Sequence, residues 1–147
     1  MKKCRDVMSG DPVCCVPTDT AARVAKLMKM ENIGSVPICE DRHGKKLMGI
    51  VTDRDLALQV VAESRDASST KVQDLMTRQP FTCRADDSLQ KALDEMEKHQ
   101  VRRIPVVDDD GQLIGIISQA DVAARGDEPE KTAEVVEEIS RPSMQAV

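Results

Sequence analysis

The chain has 147 residues, 40% hydrophobic and 32% charged, which supplies enough apolar side chain for a buried core in a soluble chain. A net charge of −5, with one Phe and no Trp or Tyr, argues against a nucleic-acid partner, which would need a basic face or an aromatic stacking platform. Five cysteines, no secretory leader at Met1-Lys2-Lys3 and no apolar run of membrane-spanning length predict free thiols in a reducing cytoplasm.

The chain repeats itself, and the repeat organises everything else. Asp6-Val7-Met8 returns as Asp74-Leu75-Met76, a displacement of 68 from Met8 to Met76. The same displacement sets Pro12 on Pro80, Cys15 on Cys83, Asp19 on Asp87, Met28 on Met96 and Pro37 on Pro105. After two single-residue deletions in a turn, Gly49-Ile50 falls on Gly115-Ile116 and Asp55 on Asp121. The predicted organisation is a first domain over 1–63, a polar linker over 64–71 and a second domain over 72–125. An acidic tail over 126–147 follows, with a short helix over 132–139 ended by Pro142.

In chain order, Pro12 and Pro80 precede short β-prone pieces over 13–16 and 81–83. Thr20 and Ser88 are predicted helix N-caps. Val24, Leu27 and Met28 keep helical spacing in copy one, as do Leu89, Ala92, Leu93 and Met96 in copy two. Strands follow over 35–39 and 103–107, where Pro37 and Pro105 predict an edge position or a place among the first residues. Polar turns carrying Gly44 and Gly111 lead to strands over 47–51 and 113–117, and second helices open at Asp53 and Gln119. Each copy reads β-α-β-β-α, an α+β class, and a unit so small is expected to pack face to face with its twin.

The most informative motif is Gly-apolar-apolar-[Thr/Ser]-x-x-Asp. It occurs as Gly49-Ile50-Val51-Thr52-Asp53-Arg54-Asp55 and as Gly115-Ile116-Ile117-Ser118-Gln119-Ala120-Asp121. A strand ends at a hydroxyl and a helix begins, so backbone N–H groups would be presented to phosphate. The carboxylate three residues later could accept both hydroxyls of a ribose. The same spacing is also that of a capping box, which needs no ligand.

The paired copies, the Asp-[Val/Leu]-Met-x-x-x-Pro openings, the Val36-Pro37 and Ile104-Pro105 strands and the two Gly-h-h-[Thr/Ser]-x-x-Asp closings resemble the cystathionine-β-synthase (CBS) domain family. The resemblance covers about 5–125. It implies tandem CBS domains (β-α-β-β-α twice) packed with pseudo-twofold symmetry. It also implies clefts between the copies that receive AMP, ADP, ATP or S-adenosylmethionine, and no obligatory cofactor. Carried over by residue, Asp55 and Asp121 would hold ribose, while Thr52 and Ser118 would contact phosphate or ribose. Cys14 and Cys15, or Thr82 and Cys83, would set backbone against the adenine edge. Gly34, Ser35, Val36 and Pro37, or Arg102, Arg103, Ile104 and Pro105, would line the base and phosphate sides.

The copies differ where charge matters. Copy one has Arg54, placed to face a phosphate; copy two lacks it but has Arg102-Arg103 where copy one has Gly34-Ser35. Guanidinium pairs well with phosphate, so unequal sites are expected; the plainer alternative is surface arginine paired with Asp or Glu. Cys14-Cys15 could support thiol chemistry, but small apolar packing is the simpler use. No cysteine or histidine cluster has zinc spacing. His43 lies in a turn, and His99 lies at a helix end where the dipole favours it.

These features predict a non-catalytic regulatory module that senses an adenosyl ligand, forms a homodimer and signals to an effector protein. Helices carrying Val24-Leu27-Met28 and Leu56-Val60-Val61 hold candidate dimer contacts, unless they serve the internal core. The alternatives are a scaffold with degenerate clefts and, last, a thiol-dependent enzyme.

Overall fold

A computed structural model describes residues 2–43 and 45–125. Gly44 and the expected tail helix over 132–139 lie outside the described residues. The first helices form where capping chemistry and apolar spacing agree. Thr20 accepts a hydrogen bond from the Arg23 N–H and starts α2 (Ala21–Glu31). Ser88 does the same for Lys91 and starts α4 (Leu89–His99). Both helices end on a left-handed residue, Asn32 (φ 54°) and Gln100 (φ 52°). Beyond them the N–H groups of Ile33 and Val101 close back on the carbonyls of Met28 and Met96. That is the Schellman stop, achieved at both positions without glycine.

The chain divides into two compact units, and each collects segments from both repeats. Among the described residues, one unit comprises 2–10, Phe81–Asp109 and 114–125. Its described elements are α1 (Cys4–Val7), β1 (Ser9–Gly10), β5 (Cys83–Arg84), α4, β6 (Arg103–Val107), β7 (Leu113–Ser118) and α5 (Gln119–Arg125). The strands form a sheet in the order β1-β7-β6-β5. Its core joins Cys4, Val7, Cys83, Leu89, Ala92, Leu93, Met96, Ile104, Val106, Ile117 and Val122.

The other unit comprises Asp11–Pro80 with Asp110–Leu113. It contains α2, β2 (Ser35–Cys39), β3 (Leu47–Thr52), α3 (Asp53–Leu56) and β4 (Thr77–Arg78), ordered β2-β3-β4 in its sheet. A π turn, Ala57–Val61, continues α3, and a 3-10 turn, Val72–Asp74, precedes β4. Cys15, Val24, Met28, Val36, Ile38, Val51, Val72 and Met76 form its main core, and Ala21, Val60 and Leu75 form a smaller one. The polar stretch expected as a free linker is tied down: Ala21 and Ala22 donate to the carbonyls of Thr70 and Ala67.

The opening segment of each repeat therefore packs with the body of the other. Ser9 and Gly10 pair with Ile116 and Gly115, and Thr77 and Arg78 pair with Ile50 and Gly49. Equivalent non-glycine turns follow both openings, with Asp11 at φ 49° and Gln79 at φ 52°. The motif glycines are explained here. A Cβ on Gly49 would lie 2.7 Å from the Thr77 carbonyl oxygen and 2.8 Å from the Met76 sulfur. On Gly115 it would lie 2.6 Å from the Met8 sulfur. The Asp-h-Met opening and the Gly-h-h closing are two halves of one contact.

Pro37 lies in β2, the last named strand of its sheet, but Cys15 covers the outer side of β2 through an isolated parallel bridge to Ile38, so the strand is not a free edge. Pro105 is placed alike: β6 lies between β7 and the two-residue β5. The proline fits there because β5 has two residues and pairs only with Val106 and Val107, beyond it. A second correction concerns the helix residues named as dimer contacts. Val24, Met28 and Val60 are buried in the cores and Leu27 and Leu56 pack against them, whereas Val61 is exposed.

Gly49→Ala should destabilise the fold by about 1–3 kcal/mol, because backbone must move to admit the methyl. Gly115→Ala should cost less, since the nearest obstacle is a flexible methionine end. Urea unfolding of the two variants gives the comparison.

Candidate functional site: two strand-to-helix corners

Each Gly-h-h motif turns from strand to helix at its hydroxyl residue. β3 ends at Thr52, whose backbone is still extended (φ −109°, ψ 164°). Thr52 Oγ1 accepts from the Asp55 N–H at 3.1 Å, and Asp55 Oδ2 accepts from the Thr52 N–H at 2.9 Å. In copy two, Ser118 Oγ accepts from Asp121 N–H at 3.1 Å and Asp121 Oδ2 from Ser118 N–H at 3.0 Å. Both are reciprocal capping boxes. The first helical N–H is also occupied: Asp53 donates to the Gly34 carbonyl at 2.9 Å and Gln119 to the Arg102 carbonyl at 3.1 Å. The expectation of free N–H groups is thus corrected at Asp53, Arg54 and Asp55 and at Gln119 and Asp121, whose N–H groups already donate to carbonyl or side-chain oxygens.

The carboxylates differ in their remaining capacity. Asp121 Oδ1 accepts from Ser9 Oγ at 3.3 Å. Asp55 Oδ1 has no such partner among the described residues. Ser35 lies opposite Thr52 in the β2–β3 ladder, so their side chains share a face of the sheet. Its hydroxyl is buried and has no hydrogen-bond partner. A group left in that state costs free energy that a ligand atom could recover.

Several residues named by the resemblance have side chains in the core. Val36, Pro37, Ile104 and Pro105 are fully buried. Cys15 is buried too, and it spends both backbone groups on β2, donating to Pro37 and accepting from Cys39. Cys83 is buried in β5, while Cys14 is half-buried and Thr82 exposed. A ligand could therefore meet Cys14 and Thr82 but not the side chains of Cys15 and Cys83.

Arg54 and Arg102 are exposed and Arg103 is half-buried. Among the described residues none of them has an ion-pair partner, so pairing with Asp or Glu is not their use. Asp19 shows the contrast: it is buried, accepts from the Val16 N–H at 2.9 Å and receives Arg42 at 3.0 Å. Sequence reading missed Asp53, Gln119 and Ser9 as members of the corners. The signal was available in the two positions between hydroxyl and carboxylate, where copy one has Asp53-Arg54 and copy two has Gln119-Ala120.

The cysteines are all free. Burial, reinforced by Asp19, pushes the Cys15 thiol up to about 11. Burial and the neighbouring Cys14 push Cys39 up to about 12. Such thiols are protonated near neutrality and are weak nucleophiles. His99 pairs with Glu95 at 3.2 Å and stacks on Phe81. Among the described residues, no group of three or more His, Cys, Asp or Glu side chains could hold a metal ion, and no helix is long and apolar enough to cross a membrane.

The CBS domain profile matches residues 4–62 and 72–127. The chain belongs to the CBS domain family. It is 36% identical over 140 residues to the uncharacterized protein YlbB of Bacillus subtilis, covering 95% of this chain and 93% of that one. A crystal structure of Hypoxic Response Protein I, solved with two coordinated zinc ions, superposes with a TM-score of 0.76 at 33% identity, covering 84% of this chain and 98% of that chain. The curated Hypoxic response protein 1 of Mycobacterium tuberculosis is 34% identical over 123 residues, covering 84% of each chain. The CBS domain pair of protein MJ0100, solved with 5′-methylthioadenosine and S-adenosyl-L-methionine, has a TM-score of 0.74 at 28% identity, covering 84% and 94%. CBSX2 in complex with AMP has a TM-score of 0.72 at 27% identity, covering 84% and 95%. The fold is thus the α+β tandem CBS pair.

The raised thiols carry a pH prediction. A folded-state value above the ordinary 9.0 means the native state holds its proton longer than the unfolded chain. That stabilisation is complete below pH 9 and is lost as pH rises through about 11 and 12. The stability of a Cys15→Ala, Cys39→Ala double variant should fall less steeply across this window in alkaline denaturation followed by circular dichroism.

Proposed function

We propose that this chain is a non-catalytic regulatory module that binds an adenosine-containing ligand at its two strand-to-helix corners. AMP, ADP, ATP and S-adenosylmethionine are the candidate ligands. The observation that carries the reading is the duplication of one hydroxyl–carboxylate corner on two equivalent backbones. In each, a carboxylate is held in place by its own N-cap and has an oxygen to offer ribose hydroxyls, at Asp121 in competition with Ser9. CBS pairs of similar fold have been solved with 5′-methylthioadenosine, S-adenosylmethionine and AMP, which supports the ligand class.

Thr52 and Ser118 fix the carboxylates of Asp55 and Asp121. Gly34 and Ser35, or Arg102 and Arg103, flank them, and Cys14 and Thr82 offer backbone to the base. The ligand stabilises one arrangement of the module over another, and only that difference in affinity can be transmitted. The signal passes to a partner protein or to the oligomeric state in the cytoplasm. A homodimer is the assembly proposed, with the exposed Leu58 and Val61 as its apolar contacts. The protonated state of Cys15 and Cys39 weighs against thiol catalysis.

A thermal-shift series with AMP, ATP, NAD and S-adenosylmethionine tests the reading, because a ligand selective for the native state raises the melting temperature. A rise with at least one adenosyl compound is expected; no rise with any would favour a scaffold with degenerate sites. In calorimetry, Asp55→Ala and Asp121→Ala should lose binding to unequal extents, and equal losses would contradict unequal sites.

A further inference from the structure

We infer that the two corners select ligands of opposite charge. The corner at Thr52 takes an adenosine compound whose 5′ substituent is neutral or cationic. The corner at Ser118 takes one carrying a 5′ phosphate. The inference rests on the adenosyl-binding reading above and assigns each site its ligand class.

The two corners share a backbone frame, so their side chains can be compared directly. Each has the same carbonyl-to-helix hydrogen bond and the same reciprocal pair. In copy one, Asp53 folds its carboxylate over Gly34. Oδ1 accepts from the Arg54 N–H at 2.8 Å, and Oδ2 lies 3.1 Å from where a Gly34 Cβ would stand. The protein's own anion thus occupies the place beside Gly34, and Asp55 adds a second carboxylate. The residue next to Gly34 is Ser35, whose buried hydroxyl lacks a partner and carries no charge. With Asp53, Arg54 and Asp55 the corner has a formal charge of minus one. A phosphate would meet two carboxylates; a neutral thioether or a sulfonium would meet a negative wall.

In copy two each of these features is inverted. Gln119 replaces Asp53, and its Nε2 is buried without an acceptor. Arg102 and Arg103 replace Gly34 and Ser35, and neither has an ion-pair partner among the described residues. Against the single carboxylate of Asp121, the corner has a formal charge of plus one. Two guanidinium groups and an unsatisfied amide N–H are donors suited to phosphate oxygens. A side chain at 34 would press on the folded-back Asp53 carboxylate, which would have to give by a few tenths of an ångström.

Single-site proteins test this. In Asp121→Asn protein, titration calorimetry should show adenosine and S-adenosylmethionine preferred over AMP. In Asp55→Asn protein AMP should be preferred over adenosine. The asparagines keep an oxygen for the capping N–H, and unchanged far-UV circular dichroism with a native-like melt confirms folding. Adding Asp53→Asn to the first protein should strengthen AMP about three- to tenfold, and adding Arg103→Gln to the second should weaken AMP by a similar factor. Both charge effects should shrink as salt rises. Identical preferences in the two single-site proteins, or no response to the charge variants, would overturn the inference and leave adenosyl binding intact. No binding of adenosine, AMP or S-adenosylmethionine to wild-type protein would overturn both.

Discussion

The reciprocal hydrogen bonds between Thr52 and Asp55, and between Ser118 and Asp121, are the constraint from which the rest follows. They end a strand, start a helix and fix a carboxylate in one geometry, all within four residues. A cap of this kind contributes about 1 kcal/mol to a helix, a modest sum for a feature repeated so faithfully. Its second consequence is chemical. A carboxylate held by its own backbone cannot wander, and a preorganised acceptor binds a diol with less ordering cost. Capping and ligand binding are therefore the same structure seen at two stages.

The glycines that open each motif belong to this constraint as well. β3 and β7 must approach β4 and β1 closely, and Met76 and Met8 fill the space a side chain would take. Because β1 belongs to the first repeat and β7 to the second, neither repeat completes its own sheet. A duplicated half-domain thus becomes obligatory in pairs, which is the physical reason both copies retain the Asp-h-Met opening. The smaller cores, rich in Val, Ile, Met and Cys, need no aromatic residue because each unit closes around short strands and one main helix.

Much of this architecture was legible in the sequence. Strands 35–39 and 103–107 and the caps Thr20 and Ser88 were readable because local propensity, apolar spacing and the repeat agreed. The exchange of opening segments was not readable, since pairing partners distant in sequence leave no local periodicity. Pro37 and Pro105 misled for a related reason: a strand flanked on both sides tolerates proline only when one neighbour is very short, and strand length is a tertiary property. In the corners, Thr52, Asp55, Ser118 and Asp121 stood out by spacing. Asp53 did not, because only the folded chain shows its carboxylate lying over Gly34. Val36 and Ile104, which the family resemblance sets beside a ligand, have their side chains in the cores.

Sensing rests on whether the capped carboxylates receive a ribose. Titration calorimetry of AMP against its 2′,3′-dideoxy analogue addresses this most directly, since the two differ only in the hydroxyls those carboxylates would accept. The account predicts that removing the diol abolishes measurable heat or weakens binding by about two orders of magnitude, because the half-buried carboxylates lose both hydroxyl partners. Equal affinity for the two compounds would contradict it.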